Sequence, residues 1–256
     1  LKSAAAKIGA TNWWPNAPGR AYNAMIAPVT SFNIAGAIWY QGESNAGTAS
    51  TYKELMTTLI NSWRKNWKKD FPFYYVQIAP FAYGNKNLGA LLREAQTQTL
   101  SVPNTGMAVI TDLVDDIKDI HPKNKQDVGA RLAAWALAKT YKKGGIAYKS
   151  PMYKNMEVNK NKVTVYFSNA YNGLMIKGGD KKATGFYIAG DDKNFLPADV
   201  KIEGNHVILS NKQIKNPVAV RFAFSNTAMA NIFSAEGLPV NPFRTDDWDV
   251  DTGKVD

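Results

Sequence analysis

Between Ala35 and Tyr141, short apolar runs alternate with segments of helical periodicity. The run Ala35-Gly-Ala-Ile-Trp-Tyr40 leads into polar residues and glycine, the pattern of a strand buried on both faces. From Thr51 to Trp67, residues Tyr52, Leu55, Leu59, Ile60, Trp63 and Trp67 recur every three or four positions and predict an amphipathic helix. Phe73–Ala79, closed by Pro80, predicts a second strand and Leu88–Leu100 a second helix. Gly106–Asp112 and Asp127–Lys142 add a third strand and a third helix. Strands separated by helices of this length imply βαβ units, hence a parallel sheet with right-handed crossovers.

After Gly144-Gly145 the period changes. Asn161–Phe167, Thr184–Ala189, His206–Leu209 and Val218–Phe224 are short alternating runs punctuated by Gly, Asn, Asp and Pro. That is the texture of antiparallel strands in a sandwich. The reading is therefore an α/β chain, with residues 1–145 carrying the parallel sheet and residues 146–256 forming a β-rich second domain.

Composition narrows the chemistry more than the fold. The 256 residues include no cysteine, which removes disulfides, thiolate metal sites and thiol nucleophiles from this chain. Two histidines, His121 and His206, exclude a His-rich metal centre, and no metal or cofactor is expected. The net charge of +10 raises the question of nucleic acid, but the lysines are scattered. Lys65, Lys68 and Lys69 end one predicted helix and Lys142-Lys143 another, where positive charge complements the helix dipole. No nucleic-acid partner is expected. No stretch reaches the roughly 18 apolar residues of a membrane helix, and no membrane partner is expected. The chain opens on Leu1 with a lysine-containing, alanine-rich stretch to Ala10, and reads as a fragment or processing product.

In open parallel sheets ligands bind beyond the carboxyl ends of the strands. Two unusual segments fall there. Trp39–Gly47 gathers Gln41, Gly42, Glu43, Ser44 and Asn45 in one turn. An amide N–H from Gln41 or Asn45 can stabilise a developing oxyanion, with Glu43 organising the loop. The alternative is a turn in which Ser44 or Asn45 caps the next helix. Ser44 lacks the Gly-x-Ser-x-Gly order of a nucleophile elbow. The second segment, Thr111–Pro122, carries four aspartates and His121. His121 is a general-base candidate, and Asp119, two residues before it, could fix its tautomer. The alternative is a solvated turn whose aspartates cap a helix. Of the remaining candidates, Trp13-Trp14 could stack on a sugar or anchor a loop. His206 reads as a surface residue of a β-hairpin, and Asp191–Asn194 as a turn without calcium-loop spacing.

Tyr22–Pro28, Ile38–Asn45, Leu92-Arg-Glu-Ala-Gln96 and Asp119–Gln126 together resemble the sialate O-acetylesterase family, a branch of the SGNH hydrolases related to acetyl xylan esterases. Gly237-Leu-Pro and Pro242–Trp248 resemble its C-terminal ending. The resemblance implies a partial SGNH-type, flavodoxin-like parallel sheet with flanking helices, followed by an antiparallel β-sandwich-like region. It implies hydrolysis of O-acetyl groups on sialic acid or similar sugars by a serine/histidine mechanism, in a periplasmic or secreted protein. His121 matches the catalytic base, with Asp119 as its expected partner and a backbone carbonyl or another aspartate as the alternative. In many relatives the aspartate stands three residues before the histidine, where this chain has Lys118. Gln41, Gly42, Glu43 and Asn45 match the oxyanion loop, and Arg93 a possible substrate-pocket position, with Arg93 and Glu94 equally compatible with a structural ion pair. The family's Gly-Gln-Ser-Asn motif is absent, so the resemblance places the serine on an upstream segment outside this chain. The second reading is a non-catalytic carbohydrate-binding or accessory subunit.

Overall fold

A computed structural model describes residues 17–178, 180 and 182–255; Trp13-Trp14 lies outside the described residues. Strands β1 (Ala37–Trp39), β2 (Phe73–Val76) and β3 (Thr105–Ala108) form a parallel sheet in the order β1-β2-β3. Helices α1 (Ala49–Trp67) and α2 (Leu88–Gln98) make the two crossovers, and α3 (Lys125–Trp135) follows β3. Successive side chains on β2 point to opposite faces. Phe73 and Tyr75 therefore pack with α1 and α2, while Tyr74 and Val76 pack with Val128, Leu132 and Trp135 of α3. The result is three layers.

On α1, Tyr52, Met56, Ile60 and Arg64 are buried at four-residue spacing. Arg64 ends that stripe by donating from Nε to the Phe71 carbonyl and from both terminal nitrogens to the Pro103 and Asn104 carbonyls, at 2.9–3.0 Å. One planar cation thus fastens the end of α1 to the chain entering β2 and β3.

Two expectations need correction. Ile38 of β1, read as buried on both faces, is 69% exposed. Its neighbour Trp39 turns to the α1 side, 5.9 Å from the Trp63 ring. Helix α3, however, covers β2 and β3 only, and leaves the Ile38 face of the edge strand open. The third helix also changes character earlier than its periodicity suggests. After Trp135 it widens into a π-turn over Ala136–Thr140, closed by Tyr141 N–H on the Ala136 carbonyl.

Beyond Tyr141 every paired strand is antiparallel. The elements are β4 (Met152–Asn159), β5 (Lys162–Ser168), β6 (Leu174–Ile176), β7 (Phe186–Ala189) and β8 (Leu196–Pro197). They continue with β9 (Asp199–Glu203), β10 (His206–Ser210), β11 (Ala219–Phe222), β12 (Ile232–Ser234) and β13 (Phe243–Arg244). Two four-stranded sheets, β4-β5-β10-β9 and β13-β11-β7-β8, share one core with the β12-β6 pair. Val163, Val165 and Phe167 from the first sheet meet Phe186, Ile188, Val220 and Phe222 from the second. The four runs seen in the sequence became β5, β7, β10 and β11. Strand β4 has no alternating apolar signal because it is a polar edge strand, with Lys154, Asn155, Glu157 and Asn159 all exposed. His206 lies beyond the Gly204-Asn205 turn, 3.5 Å from Glu203.

The sandwich and the parallel sheet are sewn together along α2. Gln77 Nε2 donates to Asn241 Oδ1 at 2.8 Å, and Gly89 N–H donates to Asn226 Oδ1 at 2.9 Å. The chain end returns to the first layer, with Lys86 N–H on the Gly253 carbonyl and Val255 N–H on the Gly84 carbonyl.

On the opposite face, Trp135 lies flat against Gly106, and its indole N–H bonds the Met107 carbonyl at 3.0 Å. A Cβ on Gly106 would sit 2.4–2.7 Å from three atoms of that ring. Gly106→Ala is therefore expected to destabilise by about 1–3 kcal/mol through overpacking, read as a lower thermal midpoint; an unchanged midpoint would show that the indole moves aside without cost.

Candidate functional site

The three loops that leave the carboxyl ends of the parallel strands converge. Ala82 N–H, after β2, bonds the Ile117 carbonyl of the acidic loop at 2.7 Å. Lys125, opening α3, sits 4.7 Å over the Tyr40 ring at the end of β1. Tyr40 also joins Leu113, Val114 and Val128 in one apolar cluster. The segment bearing His121 is thereby held beside the segment bearing Gln41.

In the first loop, Gln41 Nε2 donates to Asn45 Oδ1 at 2.8 Å, which fixes two carboxamides side by side. The second Gln41 Nε2 hydrogen and both Asn45 Nδ2 hydrogens remain uncommitted among the described residues, so the pair can still present N–H groups to an anion. The Gln41 carbonyl accepts from Tyr52 Oη at 3.1 Å and from Gln96 Nε2 at 3.4 Å. Gly42 turns with φ +150°, and a Cβ there would lie 3.0 Å from Ile78 and 3.1 Å from Gln96 Nε2. Glycine is needed at this position for both reasons. Glu43 is half-buried, and its charge raises the pKa values of Tyr40, Tyr52 and Tyr83. Burial is the larger cause in all three, and it carries Tyr40 and Tyr83 to about 12. All three hydroxyls stay protonated donors at neutral pH.

The alternative reading of this loop, with Ser44 or Asn45 capping α1, is not what forms. Thr48 is the N-cap residue and supplies no side-chain bond, while Asn45 is occupied by Gln41. Ser44 is exposed.

In the second loop, His121 is exposed and Asp119 half-buried. Asp119 Oδ1 accepts from the His121 main-chain N–H at 2.9 Å, so the carboxylate fixes the backbone at His121 and not its ring. Asp112 is committed elsewhere, in a two-point pair with Arg131 at 2.6 and 2.7 Å. Asp116 closes a local turn onto Lys118 N–H. The cap of α3 is Asn124, not an aspartate, and it accepts from Asp127 N–H at 3.0 Å. Among the described residues no group of three or more His, Cys, Asp or Glu side chains is placed to hold a metal ion.

Arg93 does not lie on a solvent-facing wall. It is fully buried and donates from Nη2 to the Ser225 carbonyl, while Nε and Nη1 have no partner among the described residues. Burial pulls its pKa down to about 10, opposed by the nearby Tyr83. Its neighbour Glu94 forms the structural pair, at 2.7 and 3.0 Å from Arg244 of β13. That carboxylate holds the Arg244 guanidinium more firmly protonated than a free arginine.

Gln96 has no role of its own in the sequence reading, yet it is fully buried in α2. Its Oε1 accepts from Ile78 N–H at 2.8 Å while its amide reaches the Gln41 carbonyl. The available signal was a carboxamide four residues after Leu92, on the apolar face of a helix.

A double-mutant cycle with Glu94→Gln and Arg244→Met is expected to give a coupling energy of about 1–2 kcal/mol in denaturant unfolding, discounted for partial exposure. A coupling near zero would show that the pair does not fasten β13 to α2.

The comparisons with known proteins agree on one relationship. Residues 4–138 match the family described as carbohydrate esterase, sialic acid-specific acetylesterase. The chain is 32% identical over 157 residues to the sialate O-acetylesterase of Mus musculus, a match covering 54% of this chain and 29% of that protein. It is 28% identical over 200 residues to the Homo sapiens sialate O-acetylesterase, covering 70% and 38% of the two chains. It superposes on the crystal structure of a carbohydrate acetylesterase from Xanthomonas citri with a TM-score of 0.82 and 41% identity, covering 89% of this chain and 54% of that one. The chain thus spans between 29% and 54% of the length of these relatives. With its family match covering more than half its length, the chain belongs to the carbohydrate esterase family of sialic acid-specific acetylesterases.

Proposed function

We propose that this chain supplies the base and part of the oxyanion loop of an esterase that removes O-acetyl groups from sialic acid or a similar acetylated sugar. The observation that carries this reading is the convergence of the Gln41–Asn45 amide pair and the His121 segment at the carboxyl ends of parallel strands. The named relatives act as a second support, since they are sialate O-acetylesterases and a carbohydrate acetylesterase.

In this reading a serine attacks the acetyl carbonyl, and His121 accepts the hydroxyl proton. Free N–H groups of Gln41 and Asn45 hold the oxygen of the tetrahedral intermediate. His121 then returns the proton to the departing sugar hydroxyl, leaving an acetyl-enzyme. Water, deprotonated by His121, attacks that ester and acetate departs as the serine regains its proton. Asp119 acts by fixing the main chain at His121.

The serine is proposed to come from an upstream segment of the same enzyme that is not part of this chain. The sequence has no Gly-Gln-Ser motif. Among the described residues strand β1 has one hydrogen-bonded neighbour and an exposed Ile38, with Met25, Val29 and Phe32 exposed nearby in sequence. A further parallel strand on the free edge of β1 would bring its carboxyl end beside Gln41. Export to the periplasm or cell exterior is part of the same proposal.

With the upstream segment restored, His121→Ala is expected to lower kcat for acetate release by about 10²–10⁴ with little change in KM. Gln41→Ala should cost about 10²–10³ in kcat. Undiminished turnover in His121→Ala would remove it from the mechanism. The 256-residue chain alone is expected to be inert toward acetyl esters; robust hydrolysis that disappears in Ser44→Ala would instead make Ser44 the nucleophile.

A further inference from the structure

A deep hollow of the molecule lies away from the converging loops. It has a volume of about 700 Å³ and runs along the free edge of β3, reaching Asn104 and Thr105 where that strand begins. One wall is the parallel sheet and the end of α3; the other is the start of the sandwich, including Tyr153 and the segment around Ser150. Its size falls within the usual range for small-molecule sites.

The lining contains three lysines, Lys139, Lys142 and Lys149, and no aspartate or glutamate. None of the three forms an ion pair among the described residues. Lys139 and Lys142 have an ordinary structural explanation, since both lie at the end of the helix and complement its dipole. Lys149 does not. It arrives on a separate extended segment after the Gly144-Gly145 turn, half-buried, with its ammonium 5.7 Å from the Tyr148 ring. Three like charges lining one concave surface focus a positive field there and raise the local concentration of anions. The adjoining hollow that shares Lys149 contains Glu236, but that carboxylate is engaged by Asn172 at 2.6 Å.

The deep wall is apolar and rigid. Trp135 is buried against Gly106, tilted on Tyr74 at 5.7 Å and edge-on to Tyr148 at 4.8 Å. Tyr74 Oη is in turn bonded to Thr140 Oγ1 at 2.9 Å, which fixes the ring that faces the hollow. A cationic rim over a fixed aromatic floor suits a ligand with one charged end and one flat or apolar face.

We propose that the hollow along the free edge of β3 is a second binding site, for a small organic anion carrying a carboxylate or phosphate on a ring. The proposal is independent of the esterase reading, because it uses none of the residues given a role in that reaction.

Titration calorimetry of the 256-residue chain with phenyl phosphate, glucuronate and uncharged phenyl β-glucoside tests it. At least one anion should bind about tenfold or more tightly than the uncharged glucoside. Its affinity should fall when salt rises from about 0.05 to about 0.5 M, since the rim charges are exposed. The triple variant Lys139→Gln/Lys142→Gln/Lys149→Gln should lose that preference, with an unchanged circular dichroism spectrum. The phosphate and carboxylate arms identify the preferred head group. Equal binding of anionic and uncharged probes, absence of anion binding, or an anion preference that survives in the triple variant would each overturn the proposal.

Discussion

A single helix with a polar face turned inward sets the geometry on which the rest depends. Arg93 and Gln96 of α2 are fully buried, and Thr97 beside them is partly buried. Buried polar groups are costly unless matched, and a matched set specifies one arrangement. Gln96 illustrates this with all its polar atoms. Its carbonyl oxygen accepts from Tyr75, its side-chain oxygen from Ile78 N–H, and its amide reaches the carbonyls of Val76 and Gln41. The loop bearing Gln41 is therefore positioned from beneath by the sheet and α2. Glu94 and Thr97, through Arg244 and Asn241, carry the same rigidity into the sandwich. Moving β13 would move α2, and moving α2 would move Gln41.

Among the described residues the parallel sheet has two free edges, and the two differ in character. On β1 the apolar Ile38 stands exposed, while beside β3 the chain builds a hollow with a cationic rim. An apolar edge favours another protein segment, because burying it removes nonpolar surface from water. A charged concave edge favours a small ionic ligand. This contrast separates the proposed catalytic end of the molecule from the proposed anion site.

Much of the first layer was legible because its helices repeat their apolar residues at helical spacing and its central strand is a continuous apolar run. The sandwich was legible only where strands have one buried face, as in β5 and β10. Strand β4 was not, since an edge strand facing water needs no apolar alternation. The site residues show the same divide. Gln41 and Asn45 stand out in the sequence by type and spacing, but their mutual hydrogen bond does not. Asp119 was readable as a neighbour of His121, yet its carboxylate goes to the backbone.

The sequence by itself determined which segments could be helices and strands, that no thiol chemistry is available, and which short motifs carry the family likeness. Local periodicity, residue type and spacing are enough for that. Only the tertiary structure decided that Arg93 is sealed beneath the loops while its neighbour Glu94 reaches Arg244. It also decided that Ile38 faces outward and that Lys149 joins two helix-end lysines around one hollow. The physical reason is that each of these facts pairs residues far apart in the chain. Burial, partner and local field are set by what packs against a side chain, and the sequence around that side chain does not contain it.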